Sequence, residues 1–172
     1  MTVHSGTTKR RFRLGNRTRK GVLVVHIVSV GAWIGLDVVM AVLVFTGVLT
    51  DDDGTKVLAF QALELFAVWP MFISGVTCLV SGVVLALGTK YGLLRYWWVA
   101  AKLVLNVVLT ALVLLSLRGG VAEVAEQGRR LAAGALDTVV AGDMMFPPIV
   151  SPTALLIAVL LSVFKPWGRI QK

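Results

Sequence analysis

Residues 21–50 read GVLVVHIVSVGAWIGLDVVMAVLVFTGVLT. The stretch carries one histidine, one aspartate and no lysine or arginine. As a helix rising 1.5 Å per residue it is long enough to cross a hydrocarbon core of about 30 Å. At about 100° per residue, His26, Ser29, Trp33, Asp37 and Met40 fall within an arc of about 80°. Ionisable side chains are costly in lipid, so this shared face is expected to turn toward protein or water. Roughly opposite lies Gly31-Ala32-Trp33-Ile34-Gly35, a GxxxG ridge over which another helix can approach closely. That helix would belong to this bundle, to a second copy of the chain or to a membrane partner.

The rest of the chain repeats the pattern. Its 172 residues are 57% hydrophobic, with a mean hydropathy of +0.85. That composition excludes an ordinary soluble domain and predicts a multipass membrane protein. Spans are expected at about 21–50, 57–88, 96–117 and 145–164. The predicted fold is therefore all-α, a four-transmembrane-helix bundle over 21–172, preceded by a basic tail over 1–20. Pro70 is the expected kink of the second span. Pro147, Pro148 and Pro152 open the fourth, and Pro166 closes it. In the third loop Gly119-Gly120 is expected to break the helix. Beyond it, Val121, Val124, Ala125, Ala132, Ala135, Leu136 and Val139 share one helical face, and Glu123, Glu126, Arg130 and Asp137 the other. This predicts a short amphipathic helix on the outer membrane surface or capping the bundle.

Charge gives the orientation. The formal net charge is +8, and seven of the 17 basic residues lie in the first 20: Lys9, Arg10, Arg11, Arg13, Arg17, Arg19 and Lys20. Lys90 and Arg95 mark the second loop, and Lys165, Arg169 and Lys172 follow the fourth span, whereas Asp51-Asp52-Asp53 forms the first loop. Positive segments stay inside, so both termini are expected in the cytoplasm. The tail would touch anionic lipid headgroups. No base-reading motif accompanies the charge, so no nucleic-acid partner is expected. Tyr91, Tyr96, Trp97, Trp98 and Trp167 would anchor the cytoplasmic boundary. Lys9-Arg10-Arg11-Phe12 faintly resembles a twin-arginine signal, but the apolar run that follows is too long for one, so a retained anchor is expected. The lone Cys78 excludes an internal disulfide and a cysteine-based metal cluster.

A second polar line runs along the third span: Trp98, Lys102, Asn106 and Thr110. Glu64 sits near the outer end of the second. Counting from the middle of a core of about 30 Å places His26 about 12 Å and Lys102 about 7 Å toward the cytoplasm, Asn106 at the middle and Asp37 about 4 Å outside it. If the lines face each other, His26, Lys102, Asn106, Asp37 and Glu64 form a polar track for a proton or small cation, with Asp37 as its central titrating group. The competing reading is structural: Lys102 snorkels to the boundary beside Trp97 and Trp98, and Asp37 pairs with Asn106 or a backbone carbonyl to fix helix register. No resident cofactor and no metal site is expected. Haem is the exception worth stating, because His26 is the sole histidine in a span and histidine is an axial ligand. Met40 lies about 20 Å further along the same helix, so the iron would need His26 from two chains or would be five-coordinate. Met40, Cys78, Met144 and Met145 lack a copper-ligand spacing. No nucleophile elbow, HExxH or phosphate loop is present, so no enzyme is predicted.

Three stretches carry a resemblance: VHIVSVGAWIG over 25–35, LGTKYGLLRYWWVAAKL over 87–103 and LSVFKPWGR over 161–169. They resemble actinobacterial four-helix integral membrane proteins of unknown function. The resemblance implies four membrane helices and a plasma-membrane address, and no known activity. The His-x-x-x-x-Gly-x-Trp pattern from His26 to Trp33 is also distantly similar to copper-resistance-type membrane proteins. Relatives often carry a further histidine around the fourth span, where this chain has Phe146-Pro147-Pro148-Ile149 and Ser151-Pro152. Together these readings predict a non-enzymatic accessory or transporter-like membrane protein with a buried polar track. The alternative is a membrane haem- or metal-binding redox protein using His26.

Overall fold

The computed structural model describes residues 14–88, 92–164, 168 and 170. The basic residues Lys9, Arg10, Arg11 and Arg13, and Lys90, Tyr91, Lys165, Trp167, Arg169 and Lys172, lie outside them. Among the described residues the fold is all-helical, without strands. Four helical stretches are long and apolar enough to cross a membrane: Asn16–Leu49, Asp53–Leu87, Trp97–Ala132 and Gly142–Phe164. They alternate in direction, so the first begins and the last ends at one end of the bundle, here the terminal end; the opposite end is the loop end.

Helix α1 (Asn16–Leu49) begins five residues before the expected start, because Arg17, Arg19 and Lys20 are good helix formers that prolong the span beyond its apolar part. Its inward face carries Ser29, Trp33, Asp37, Met40, Val44 and Gly47, all buried. Three loop residues lead to α2 (Asp53–Phe66). The Asp52 carboxylate caps it, accepting from the Thr55 N–H at 2.7 Å. The Thr55 hydrogen bonds hold the Asp52 carboxyl below its ordinary value. The cap therefore contributes fully above the usual carboxylate range and is lost as pH falls through the depressed value.

Helix α3 (Val68–Leu87) continues α2 across a single non-helical residue, Ala67. Pro70 explains the interruption: it has no N–H for the Phe66 carbonyl, and its ring crowds that carbonyl. The disturbance thus falls one turn before the proline, and the expected second span, 57–88, is a broken helix that starts earlier, at Asp53. The third span departs further from expectation. Helix α4 (Trp97–Leu112) passes through a π-helical turn, Val113–Leu117, directly into α5 (Arg118–Ala132). Gly119 and Gly120 do not break it. A Cβ at Gly120 would lie 2.9 Å from Met144 Sδ, so this glycine admits a close neighbour. The amphipathic segment foreseen in the third loop is therefore the continuation of the third span. Its buried face, Val121, Val124, Ala125 and Gly128, packs on α2 rather than extending to Val139. Gly134, at a φ of +66°, turns the chain away. After a short 3-10 turn, Gly142–Met145, helix α6 (Pro147–Phe164) returns to the terminal end.

The first three stretches are 34, 35 and 36 residues long, about 50 Å each. The fourth has 23. At the loop end α1, α2 and α5 consequently run on together around Val44, Phe60, Leu63, Val121 and Val124, which belong to one continuous core with Trp33, Met40, Met71 and Leu155. Outside this core the surface is apolar: Val24, Ile27, Val28, Val38, Val104, Leu156 and Val163 are exposed. Such a girdle suits acyl chains. Gly31 and Gly35 belong to the exposed side, with no atom within 4 Å of a Cβ built on either.

Close packing on the inward side rests on glycine. A Cβ at Gly75 would lie 2.7 Å from both the Trp33 ring and Thr110 Oγ1. Gly75→Val is therefore expected to lower stability by about 1–3 kcal/mol through overpacking, while Gly31→Val changes it by less than about 0.5 kcal/mol. Thermal unfolding in detergent, followed by circular dichroism, measures both. Equal losses would mean that α1 does not present these faces as described.

Candidate functional site

The polar line of α1 is brought to the interior, and its members meet different partners. His26 reaches α3. Its Nδ1 lies 3.0 Å from Ser81 Oγ and 3.1 Å from the Cys78 carbonyl oxygen. The Ser81 hydroxyl proton is committed to the Thr77 carbonyl at 2.6 Å, so toward His26 this oxygen accepts. Both neighbours of Nδ1 are then acceptors, and Nδ1 must carry the proton. In the neutral ring Nε2 keeps its lone pair, and it has no hydrogen-bond partner among the described residues. Gly82 makes this seat: a Cβ there would stand 3.2 Å from His26 Cε1.

Lys102, on α4, turns to α6. Its Nζ donates to Ser162 Oγ at 2.8 Å and lies 4.7 Å from the centre of the Trp98 ring. Trp98 is correspondingly buried, whereas Trp97 is exposed as an interfacial anchor would be. Asn106 Oδ1 accepts from Thr110 Oγ1 at 3.4 Å. His26, Lys102 and Asn106 line one cavity of about 560 Å³ between α1, α3, α4 and α6, in the terminal half of the bundle. This volume is within the range of small-molecule sites, about 300–1,000 Å³. The walls are mainly leucine, valine and alanine. Arg19 and Lys102 supply positive charge, and no carboxylate lines the cavity among the described residues.

Asp37 and Glu64 are elsewhere. Asp37 is 1% exposed, and its Oδ2 accepts from Ser151 Oγ of α6 at 2.9 Å. Its Oδ1 is buried without a partner, as is Trp33 Nε1 one turn away. Ser151 and Ser162 are eleven residues apart, about three turns and 16 Å along one face of α6. Asp37 and Lys102 therefore both look inward, yet each turns to the fourth span, at different depths. Glu64 lies at the loop end in an exposed ion pair, 2.7 Å from Arg129 Nη1, and Arg129 Nε also donates to Glu126 at 2.8 Å. Exposed pairs of this kind contribute little stability.

Ser81 and Ser162 were not singled out from the sequence; Ser151 and Arg19 were named there, but not as site residues. The spacing of Ser151 and Ser162 on an otherwise apolar helix was the available signal for the two on α6. Among the described residues no group of three or more histidine, cysteine, aspartate or glutamate side chains could hold a metal ion. Neither a protein-family model, nor a curated protein, nor a solved structure matches the chain.

Ser151→Ala leaves the buried Asp37 carboxyl without its hydroxyl donor and is expected to cost about 1–3 kcal/mol. In a double-mutant cycle, Asp37→Asn and Ser151→Ala should couple by about 0.5 kcal/mol or more. Additive losses in detergent unfolding would show that the pair does not hold α1 to α6.

Proposed function

We propose that this chain is a non-enzymatic, multipass plasma-membrane protein of accessory or transporter-like type, whose working site is the cavity in the terminal half. The observation that carries the reading is the convergence of His26, Lys102 and Asn106 on one apolar-walled chamber of about 560 Å³. Polar groups inside a membrane-spanning bundle are costly, and gathering them around a space rather than against one another favours a ligand over simple glue. The walls call for an apolar body. Arg19 and Lys102, with no carboxylate on the walls, call for an anionic or oxygen-rich head.

The positive tail and the acidic first loop put the terminal end in the cytoplasm. The cavity mouth then lies at the inner leaflet, next to the basic residues expected to hold anionic headgroups. The exposed Gly31–Gly35 ridge leaves room for a helix of a second copy or of a membrane partner.

A second reading keeps the polar track. It is favoured by the two orphaned atoms, Trp33 Nε1 and Asp37 Oδ1, a buried donor and a buried acceptor one turn apart. With Thr110 and Asn106 below them, they would continue the polar side chains of the cavity toward the loop end, bridged by water.

The cavity is tested by filling it. Ala158, on its wall, becomes phenylalanine in Ala158→Phe. Protein purified from its own membrane is extracted, and the bound small molecules are identified by mass spectrometry. The wild type should carry a species with an apolar body that Ala158→Phe loses, at unchanged melting temperature. The same species in both would remove the cavity as a site. For the track, proton or cation flux into proteoliposomes should fall in Asp37→Asn and Lys102→Met; unchanged flux in both would remove it.

A further inference from the structure

We infer that the terminal-half cavity is a haem site, with His26 Nε2 as the axial ligand of a five-coordinate iron. This rests on the reading of the cavity as the working site and names its occupant. Three features of the cavity match three parts of one ligand.

The first is the ring. An axial histidine needs an unprotonated nitrogen facing the iron and a hydrogen bond on the other nitrogen to fix tautomer and orientation. His26 has both. Its Nδ1–H is shared between the Cys78 carbonyl and Ser81 Oγ, whose own proton is taken by Thr77. Gly82 lets the ring sit against α3. Nε2 is left with a lone pair and no partner, on a residue that lines the cavity. An acyl chain in the cavity would leave this acceptor facing hydrocarbon, which is unfavourable. A Lewis-acidic iron satisfies it.

The second feature is the wall. Leu79, Val83, Leu103, Leu109, Leu155 and Val159 surround the space with hydrocarbon, as a macrocycle requires. The third is the charge. Arg19 stands two turns before His26 on α1, about 10 Å toward the terminal end, and Lys102 reaches Ser162 near the end of α6. Two cations on this cavity, without a carboxylate among its described lining residues, are the complement of two propionates. The reach from a haem iron to its propionate carboxylates is comparable with the step from His26 to Arg19.

The described lining residues also bear on the coordination number. They include no second histidine and no methionine. Cys78 Sγ lies 3.9 Å from Nδ1, the nitrogen that the iron would not use.

The test uses the full chain, expressed under haem depletion, purified in detergent and titrated with ferric haem. The wild type should saturate at one haem per chain, with a Soret band displaced from that of haem in empty micelles and a high-spin five-coordinate resonance. His26→Ala and His26→Gln should lose the displaced band, and imidazole should restore it in His26→Ala. Ser81→Ala should weaken binding about tenfold by loosening the ring. Lys102→Met and Arg19→Gln should each weaken it about tenfold while leaving the band in place. An unchanged band and affinity in both His26 variants, or no saturation in the wild type, would overturn the proposal. If haem fails to bind while the wild type still carries an anionic lipid that Ala158→Phe loses, the haem proposal falls and the cavity reading stands. If Ala158→Phe matches the wild type in every bound species, haem included, both fall.

Discussion

A carboxyl group 1% exposed inside a helical bundle must find its hydrogen-bond donors in the packing, because no water reaches it from bulk. Asp37 finds one on Ser151, and much of the architecture follows from that pairing. It fixes the depth of α6 against α1. Pro147 starts α6 where a proline is preorganised for a helix and has no N–H to waste, and Ser151 comes one turn later, level with Asp37. Three turns further along the same face, Ser162 arrives at Lys102. One short helix thus satisfies the buried groups of two longer ones. Its register is set by polar contacts, since most of its remaining surface is aliphatic and of no particular specificity.

The inward face of α1 was legible in the sequence because helical period and the cost of burying charge act on the same residues. Ser29, Trp33, Asp37 and Met40 are buried, and Gly31 and Gly35 are not. Which helix that face would meet was not legible. Opposing the α1 and α4 lines paired Asp37 with Lys102 or Asn106, whereas Asp37 and Lys102 both turn to serines of α6. Serine is a poor beacon: in a membrane helix its hydroxyl is readily absorbed by its own backbone, as Ser162 does with the Ala158 carbonyl at 3.0 Å. The second miss has a similar cause. Gly119-Gly120 reads as a helix breaker, because each glycine costs about 1 kcal/mol against alanine in a helix. Here Gly120 instead admits Met144, and burial of Val121 and Val124 beyond it sustains the helix. Single-sequence reasoning prices the glycine but does not see the neighbour.

Unequal helix lengths divide the molecule into two functional halves. At the loop end three helices close on Phe60 and Leu63, and Gly47 yields to the Phe60 ring at a would-be Cβ distance of 2.8 Å. At the terminal end four helices meet, and their small residues, Gly82, Ala86, Ala154 and Ala158, leave a chamber. Gly82 also seats a ring, that of His26, on the wall of this chamber.

Charge follows the same division. Of nine acidic residues, only Asp37 lies within the membrane-spanning core. The other eight, from Asp51 to Asp143, belong to the loop end, where Arg129 bridges Glu64 and Glu126. The terminal end has no aspartate or glutamate among its described residues, yet it holds Arg17, Arg19, Lys20, Arg95 and Lys102. In a low-dielectric bundle such an excess is not neutralised from tens of ångströms away: the interaction falls with distance, and solvent ions screen it within about 10 Å of the surface. Arg19 and Lys102 both line the cavity, whose described lining residues include no aspartate or glutamate. Two cations on an apolar-walled chamber, with no carboxylate among its described lining residues, are what the proposed anion with a hydrophobic body would meet.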